Sequence, residues 1–304
     1  MKQLLLALLL AFPFYTSSFS ALAADKPELN ALQKIINGKH RSAENKRRDQ
    51  YRHPEETLMF FDVKEDMTVV EISPGKGWYT EILAPYLREK GKLYAAHFSP
   101  DNPETYFKDS LKAYIDKLHK EPKLYDKVVM TTLQPPKEVN IAPEGSADRV
   151  LTFRNVHNWM EHDQATTVFN ALFKALKPGG ILGIVEHRAS SIKPQDPKAV
   201  SGYVSEDYII ALARKAGFEF LAKSELNANP KDTKNHPEGV WTLPPTLRLK
   251  DKDKEKYLAV GESDRMTIKF IKPLKKSIAS FLPSQLLGSI DRANLTDIPA
   301  VIPK

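Results

Sequence analysis

Short apolar runs rich in β-branched residues alternate along this chain with stretches whose apolar positions recur at helical spacing. Val69, Val70 and Ile72 form one such run, which suits a strand covered on both faces, and it stops at Ser73-Pro74-Gly75-Lys76-Gly77. From Trp78 the period turns helical. Ile82, Leu83, Tyr86 and Leu87 share one face, with Glu81, Arg88, Glu89 and Lys90 around them. Runs over 91–98, 127–132, 147–153, 181–186, 217–221 and 266–271 read as further strands. Helical periodicity over 55–61, 106–119, 164–176 and 205–216 lies between them, and Leu29, Leu32, Ile35 and Ile36 predict a short helix ending near Asn37-Gly38. Lys177-Pro178-Gly179-Gly180 is expected to stop one helix and turn the chain into the next strand.

Strands alternating with helices at this spacing predict an α/β fold, a doubly wound and mostly parallel seven-stranded sheet. Such sheets bind ligands at the carboxyl ends of their strands. Glu71 with the glycine turn, His97, Thr132, the 154–159 segment and Glu186-His187-Arg188 all fall on that edge. The long segment 227–262, rich in proline and lysine, interrupts the last two strands and is expected to be either functional or mobile.

Composition narrows the classes. The chain has 304 residues, 41% hydrophobic and 27% charged, ordinary for one globular domain with extensions. Without cysteine there are no disulfides, zinc-thiolate sites, thiol catalysis or lipidated N-terminal cysteine. Met1-Lys2, an apolar stretch from Leu4 to Phe12 and Ala21-Leu22-Ala23 have the order of a secretory signal peptide cleaved after Ala23. Pro13 and Thr16-Ser17-Ser18 interrupt the apolar stretch before it reaches the roughly 20 residues of a membrane span. A periplasmic or secreted protein with no stable membrane anchor after signal removal is therefore expected. Cleavage removes one lysine and no acid, lowering the net charge from +7 to +6, a balance that does not point to nucleic acid. The expected division is signal peptide 1–23, N-terminal helical segment 24–60, main domain 61–274 and C-terminal tail 275–304.

The basic stretch from Lys39 to Pro54 has two readings, a solvated helix face or a lid whose Arg47, Arg48 and Arg52 meet an anion. At the glycine turn, Gly75 and Gly77 let backbone N–H groups approach a ligand, and the positive end of the following helix favours a carboxylate or phosphate.

VVEISPGKG (69–77), ADRVLTFRNVHNW (147–159) and LKPGGILGIVEH (176–187) together make roughly Tyr51 to Lys272 resemble the class I S-adenosylmethionine-dependent methyltransferases. More narrowly, RHPEETLMFF, GWYTEILAPYL and RNVHNW resemble a group of secreted predicted methyltransferases of unassigned substrate. The resemblance implies a Rossmann-like methyltransferase fold, S-adenosylmethionine as cofactor and a small-molecule acceptor. It places the cofactor at Glu71, Ser73, Gly75, Gly77 and His97. Two departures stand out. Ser73 replaces the family's first loop glycine, and His97 replaces the acid that holds the ribose hydroxyls, which predicts weak cofactor affinity.

Catalysis is expected from the segment after the fourth strand: His157 as general base, with Asn155 and Arg154 beside it. Imidazole titrates near neutrality, which suits proton transfer, although His157 and Asn155 also fit a role in bracing the loop. Arg154 suits either orienting an anionic acceptor or pairing with Glu186. Trp78 and Trp159 fit either cofactor walls or core. His157, His162, Asp163, Glu186 and His187 lack the i, i+4 histidine pairing that would make a metal reading strong, so no metal is expected. Two other classes remain: a non-catalytic secreted binding protein on a methyltransferase scaffold, and a dinucleotide-binding oxidoreductase. Thr80, standing where a third glycine would be, counts against the latter.

Overall fold

The structure, a computed structural model, describes residues 29–274. The expected signal peptide and the tail 275–304 lie outside the described residues. The described residues begin with four short helices: α1 (Ala31–Ile36), α2 (Ala43–Arg47), α3 (Asp49–Arg52) and α4 (Pro54–Phe60). Then follow β1 (Thr68–Ile72), α5 (Thr80–Leu87), β2 (Lys92–His97), α6 (Thr105–Lys120), α7 (Pro122–Tyr125) and β3 (Val129–Thr132). The second half runs β4 (Ala147–Phe153), α8 (Val156–Glu161), α9 (Ala165–Ala175), β5 (Leu176–His187), α10 (Glu206–Lys215) and β6 (Glu219–Ser224). A 3₁₀ turn (Gly239–Thr242), α11 (Lys254–Val260) and β7 (Arg265–Ile271) complete it.

The seven strands form one sheet in the order β3-β2-β1-β4-β5-β7-β6. β7 inserts antiparallel between β5 and β6, and the other pairings are parallel. The apolar runs are continuous because each central strand feeds two cores. Val70, Ile72, Val150, Leu182 and Ile184 meet the side covered by α8, α9 and α10, while Val69, Leu93, Leu151 and Val185 meet the side covered by α1, α4 and α5.

One expectation changes, and the long inserted segment takes a definite place. Lys177-Pro178-Gly179-Gly180 does not form a separate turn; α9 passes directly into β5 at Leu176. The reason is pairing on both sides, since Leu176 lies opposite Ala147 of β4 while Gly179 N–H donates to the Lys272 carbonyl and Lys272 N–H to that of Gly180. The 227–262 segment is ordered against the domain. Asn227 Nδ2 reaches the hydroxyls of Thr57 and Thr267 at 3.1 and 2.9 Å, and Asn229 N–H donates to Asp264 Oδ1 at 2.9 Å.

Candidate active site

β1 ends in the glycine turn because Pro74 has no N–H for a ladder. Ser73 holds φ +44°, so serine here adopts the left-handed backbone that a glycine would take without strain, and its N–H donates to Ala96 O at 2.8 Å. Gly75 (φ +60°) faces open space, and neither its N–H nor that of Lys76 donates to an acceptor among the described residues. Gly77 (φ +77°) faces inward: a Cβ there would come within 3.0 Å of the Tyr114 ring. Of the two glycines, Gly75 is therefore the one that leaves room for a ligand, and Gly77 packs against α6.

Glu71 is buried beneath the turn, where its Oε2 accepts the Thr80 hydroxyl at 2.6 Å. Burial pushes its carboxyl up to about 7, with the Thr80 bond and Lys117 pulling the other way. His97 lies at the end of β2, fully buried, and both ring nitrogens have partners within the chain. Nδ1 accepts the Phe98 N–H at 2.8 Å and Nε2 donates to Gly75 O at 3.0 Å. Here His97 braces the glycine turn from below, with both ring nitrogens engaged within the chain. Burial also lowers its pKa, which keeps the ring neutral. The adjoining cleft is lined by Ser73, Phe98, Glu104, Phe107, Gln134 and Asn155, among others. Glu104 is the one carboxylate on that lining, and it escaped sequence reading because it lies beyond the strand end, before α6.

The strongest polar constellation lies after β4 and β5. Glu186, fully buried, accepts Val156 N–H at 2.6 Å, His157 Nδ1–H at 3.0 Å and His187 N–H at 2.8 Å. A carboxylate can only accept, so it fixes the His157 tautomer with the proton on Nδ1 and the lone pair on Nε2. Asn155 instead ties strands together, its Nδ2 donating to Ile72 O and Thr152 Oγ1, each at 3.1 Å. His187 Nδ1 meets the Ser263 hydroxyl. Burial holds His187 well below the ordinary imidazole range, and His157, Arg265 and Arg154 add to that. Nitrogens of His157 and His187 and an oxygen of Glu186 lie within 4.8 Å of one another, a spacing that an ion could bridge. The positive field of Arg154 and Arg265 opposes a cation there.

That field comes from a cluster of arginines. Arg48 and Arg52 reach the Glu262 carboxylate at 2.6 and 3.4 Å, and Arg265 bonds to it as well. Burial pushes the Glu262 carboxyl up, but Arg265, Arg52 and Arg48 overcome it and hold the group well below the usual carboxylate range. At Arg48 and Arg52 the basic segment is thus engaged with Glu262 and is not a solvated face, although Arg47 is exposed. Arg41 and Arg52 also flank the Trp78 ring at 4.9 and 4.6 Å, and its indole N–H donates to Asn45 O at 3.2 Å. Trp78 is therefore part of the core, whereas Trp159, though buried, reaches the cleft lining. From the inserted segment Trp241 sits edge-on to His157, with 6.0 Å between ring centroids. Its place at the site had no local signal in the sequence.

The strand order, with a single antiparallel strand, and the glycine turn after β1 define a Rossmann-like α/β protein of methyltransferase fold. No family model matches the chain, and no curated protein is similar to it in sequence. Among solved structures, the [4+2]-cyclase SpnF is 15% identical with a TM-score of 0.52, covering 79% of this chain and 86% of its own. A SAM-dependent methyltransferase from Aquifex aeolicus is 18% identical with a TM-score of 0.49, over 74% and 92% of the two chains. The Haemonchus contortus phosphoethanolamine N-methyltransferase 2, in complex with S-adenosyl-L-methionine, is 16% identical with a TM-score of 0.47, over 73% and 53%. The likeness is one of fold, and a cyclase on this fold means that the reaction has to be argued from the site.

Proposed function

We propose that this chain is an S-adenosylmethionine-dependent methyltransferase acting on a small molecule, with His157 as general base. The observation that carries the reading is the Glu186–His157 pair, buried at the carboxyl edge of the sheet two strands from the glycine turn. When bound, the cofactor supplies a methyl group on a sulfonium for in-line transfer. The residues present fit it: Gly75 leaves space, its N–H and that of Lys76 are unengaged, and Phe98 and Phe107 offer apolar surface in the adjoining cleft. His157 Nε2 is set to take the acceptor's proton, and Glu186 stabilises the imidazolium that results. Ser73, Gly75 and Glu104 are assigned to cofactor binding, and Glu71, Gly77 and His97 to holding the turn that binds it.

A second reading, a binding protein without catalysis, draws support from His97, whose ring is engaged within the chain where the family resemblance implies a ribose-binding acid. Isothermal titration with S-adenosylmethionine, S-adenosylhomocysteine and NADH separates the readings. The methyltransferase reading requires binding of the first two and not of NADH, with methyl transfer to an acceptor that is lost in His157→Ala. Residues 1–23 are assigned as a signal peptide directing the protein to the periplasm or outside the cell; intact mass of the exported chain should begin at Ala24.

A further inference from the structure

Arg154 is the side chain whose surroundings are least accounted for. It follows β4 at φ +63°, a left-handed conformation that is strained for a bulky residue and concentrates at functional sites. Its backbone is pinned there, N–H to Val185 O at 2.7 Å. Its guanidinium makes no hydrogen bond and no ion pair among the described residues, and Glu186, the carboxylate nearest in register, is engaged with His157. Burial pushes Arg154 down to about 10, with Arg265 and Arg48 opposing its charge and Glu262 favouring it. The neighbourhood holds four arginines, Arg48, Arg52, Arg154 and Arg265, against the two carboxylates Glu262 and Glu186. Beside the half-buried Arg154, two guanidinium nitrogens, Arg48 Nη2 and Arg265 Nε, are buried without a partner. Other acids nearby are occupied: Asp49 by Arg41, and Asp264 by Arg188 and Lys234. Buried donors in excess positive charge call for an anion.

We propose that Arg154 binds an oxyanion, a carboxylate or phosphate, carried by the methyl acceptor. The acceptor assignment rests on the methyltransferase reading; the oxyanion site itself does not. The charge of Arg154 acts both on Tyr79, just after the glycine turn, and on His187, beside the His157 base. An oxyanion held there would place the rest of a small molecule between the cofactor turn and the base. Guanidinium suits the task because its planar fork pairs two donors with two oxygens.

The test titrates sodium benzoate, inorganic phosphate and neutral benzamide into the full chain in chloride-free buffer, read by calorimetry and by thermal shift, with and without saturating S-adenosylhomocysteine. Benzoate or phosphate should bind and benzamide should not, and S-adenosylhomocysteine should still bind beside the anion. Arg154→Met should weaken the anion by about 10–100-fold, the loss of a charge-assisted pair. Arg154→Lys should fall between, and Arg214→Met, exposed on α10, should bind as wild type. Circular dichroism checks that each variant folds. Unchanged anion affinity in Arg154→Met, or no binding of either anion to wild type, overturns the proposal. Mutual exclusion of benzoate and S-adenosylhomocysteine overturns the acceptor assignment and gives the guanidinium to the cofactor's own carboxylate. Anion binding that depends on Arg154, with no S-adenosylhomocysteine binding, keeps the oxyanion site and removes the methyltransferase reading.

Discussion

Glu262→Gln should be among the most damaging single substitutions in this domain. The carboxylate is 2% exposed and serves three guanidiniums, two of them, Arg48 at the junction of α2 and α3 and Arg52 of α3, more than 200 residues away in sequence, so it clamps the N-terminal helices onto β7. Breaking a buried ion pair from one side costs about 3–5 kcal/mol, because the remaining charge stays buried without compensation. Here Arg48, Arg52 and Arg265 would all lose it, which places the expectation near about 4 kcal/mol, or about 8–16 °C in Tm for a domain of this size. The pH dependence gives an internal control. The folded pKa of Glu262 is depressed, so its contribution is fully present above the unfolded carboxylate value of about 4.3 and is lost as pH falls through the folded value. The advantage of wild type over Glu262→Gln should therefore begin to shrink below about pH 4, where unfolded carboxylates take up protons. Urea unfolding followed by tryptophan fluorescence at pH 7 and pH 3 measures both, and Trp78, flanked by Arg41 and Arg52, reports on the clamp. A loss below about 1 kcal/mol at pH 7, or an equal gap at both pH values, would refute the reasoning.

Glu71 has the opposite sign, because its folded pKa is raised to about 7: its favourable contribution is present below about pH 4 and is lost as pH rises through 7. Relative to Glu71→Gln, wild type should lose about 2–3 kcal/mol between pH 5 and pH 8 by urea unfolding, and a constant difference would count against a buried neutral carboxyl. Gly75→Ala should cost about 1–2 kcal/mol of left-handed strain and weaken S-adenosylhomocysteine measurably in calorimetry, whereas Gly77→Ala, pressed on Tyr114, should lower Tm further; the reverse ranking contradicts the assignment. Ser73→Gly should relieve the same kind of strain and raise stability by roughly 1 kcal/mol in thermal unfolding, and a lower Tm would show that its hydroxyl matters more than its backbone. Glu186→Gln turns an acceptor into a donor against three N–H groups; a fall in methyl transfer of about 10²–10⁴-fold is expected once an acceptor is known, and undiminished turnover would remove His157 as base.

The alternation of apolar runs and helical periods carried the sheet, its mostly parallel character and the edge that holds the candidate site. Burial on both faces writes continuous apolar strands such as Val69-Val70 into the chain, and a glycine turn is a local backbone requirement. His157 was singled out for a similar reason, since the segment after the fourth strand lies on that edge; the structure places it in the first turn of α8. Other features depend on which groups meet across long separations. Whether Arg48 and Arg52 faced solvent, a ligand or Glu262 was decided by the docking of α2 and α3 beside β7. His97 sits where it was expected, yet its ring follows the Gly75 carbonyl and the Phe98 N–H, and no residue pattern announces a ring orientation. Trp241 reaches His157 from a segment whose proline and lysine content reads as loop, because long-range packing orders it. Local propensity and burial act between near neighbours and leave periods in the sequence; pairing between distant polar groups leaves none, so only the folded chain decides which charges are answered and which, like that of Arg154, have no ion-pair partner among the described residues.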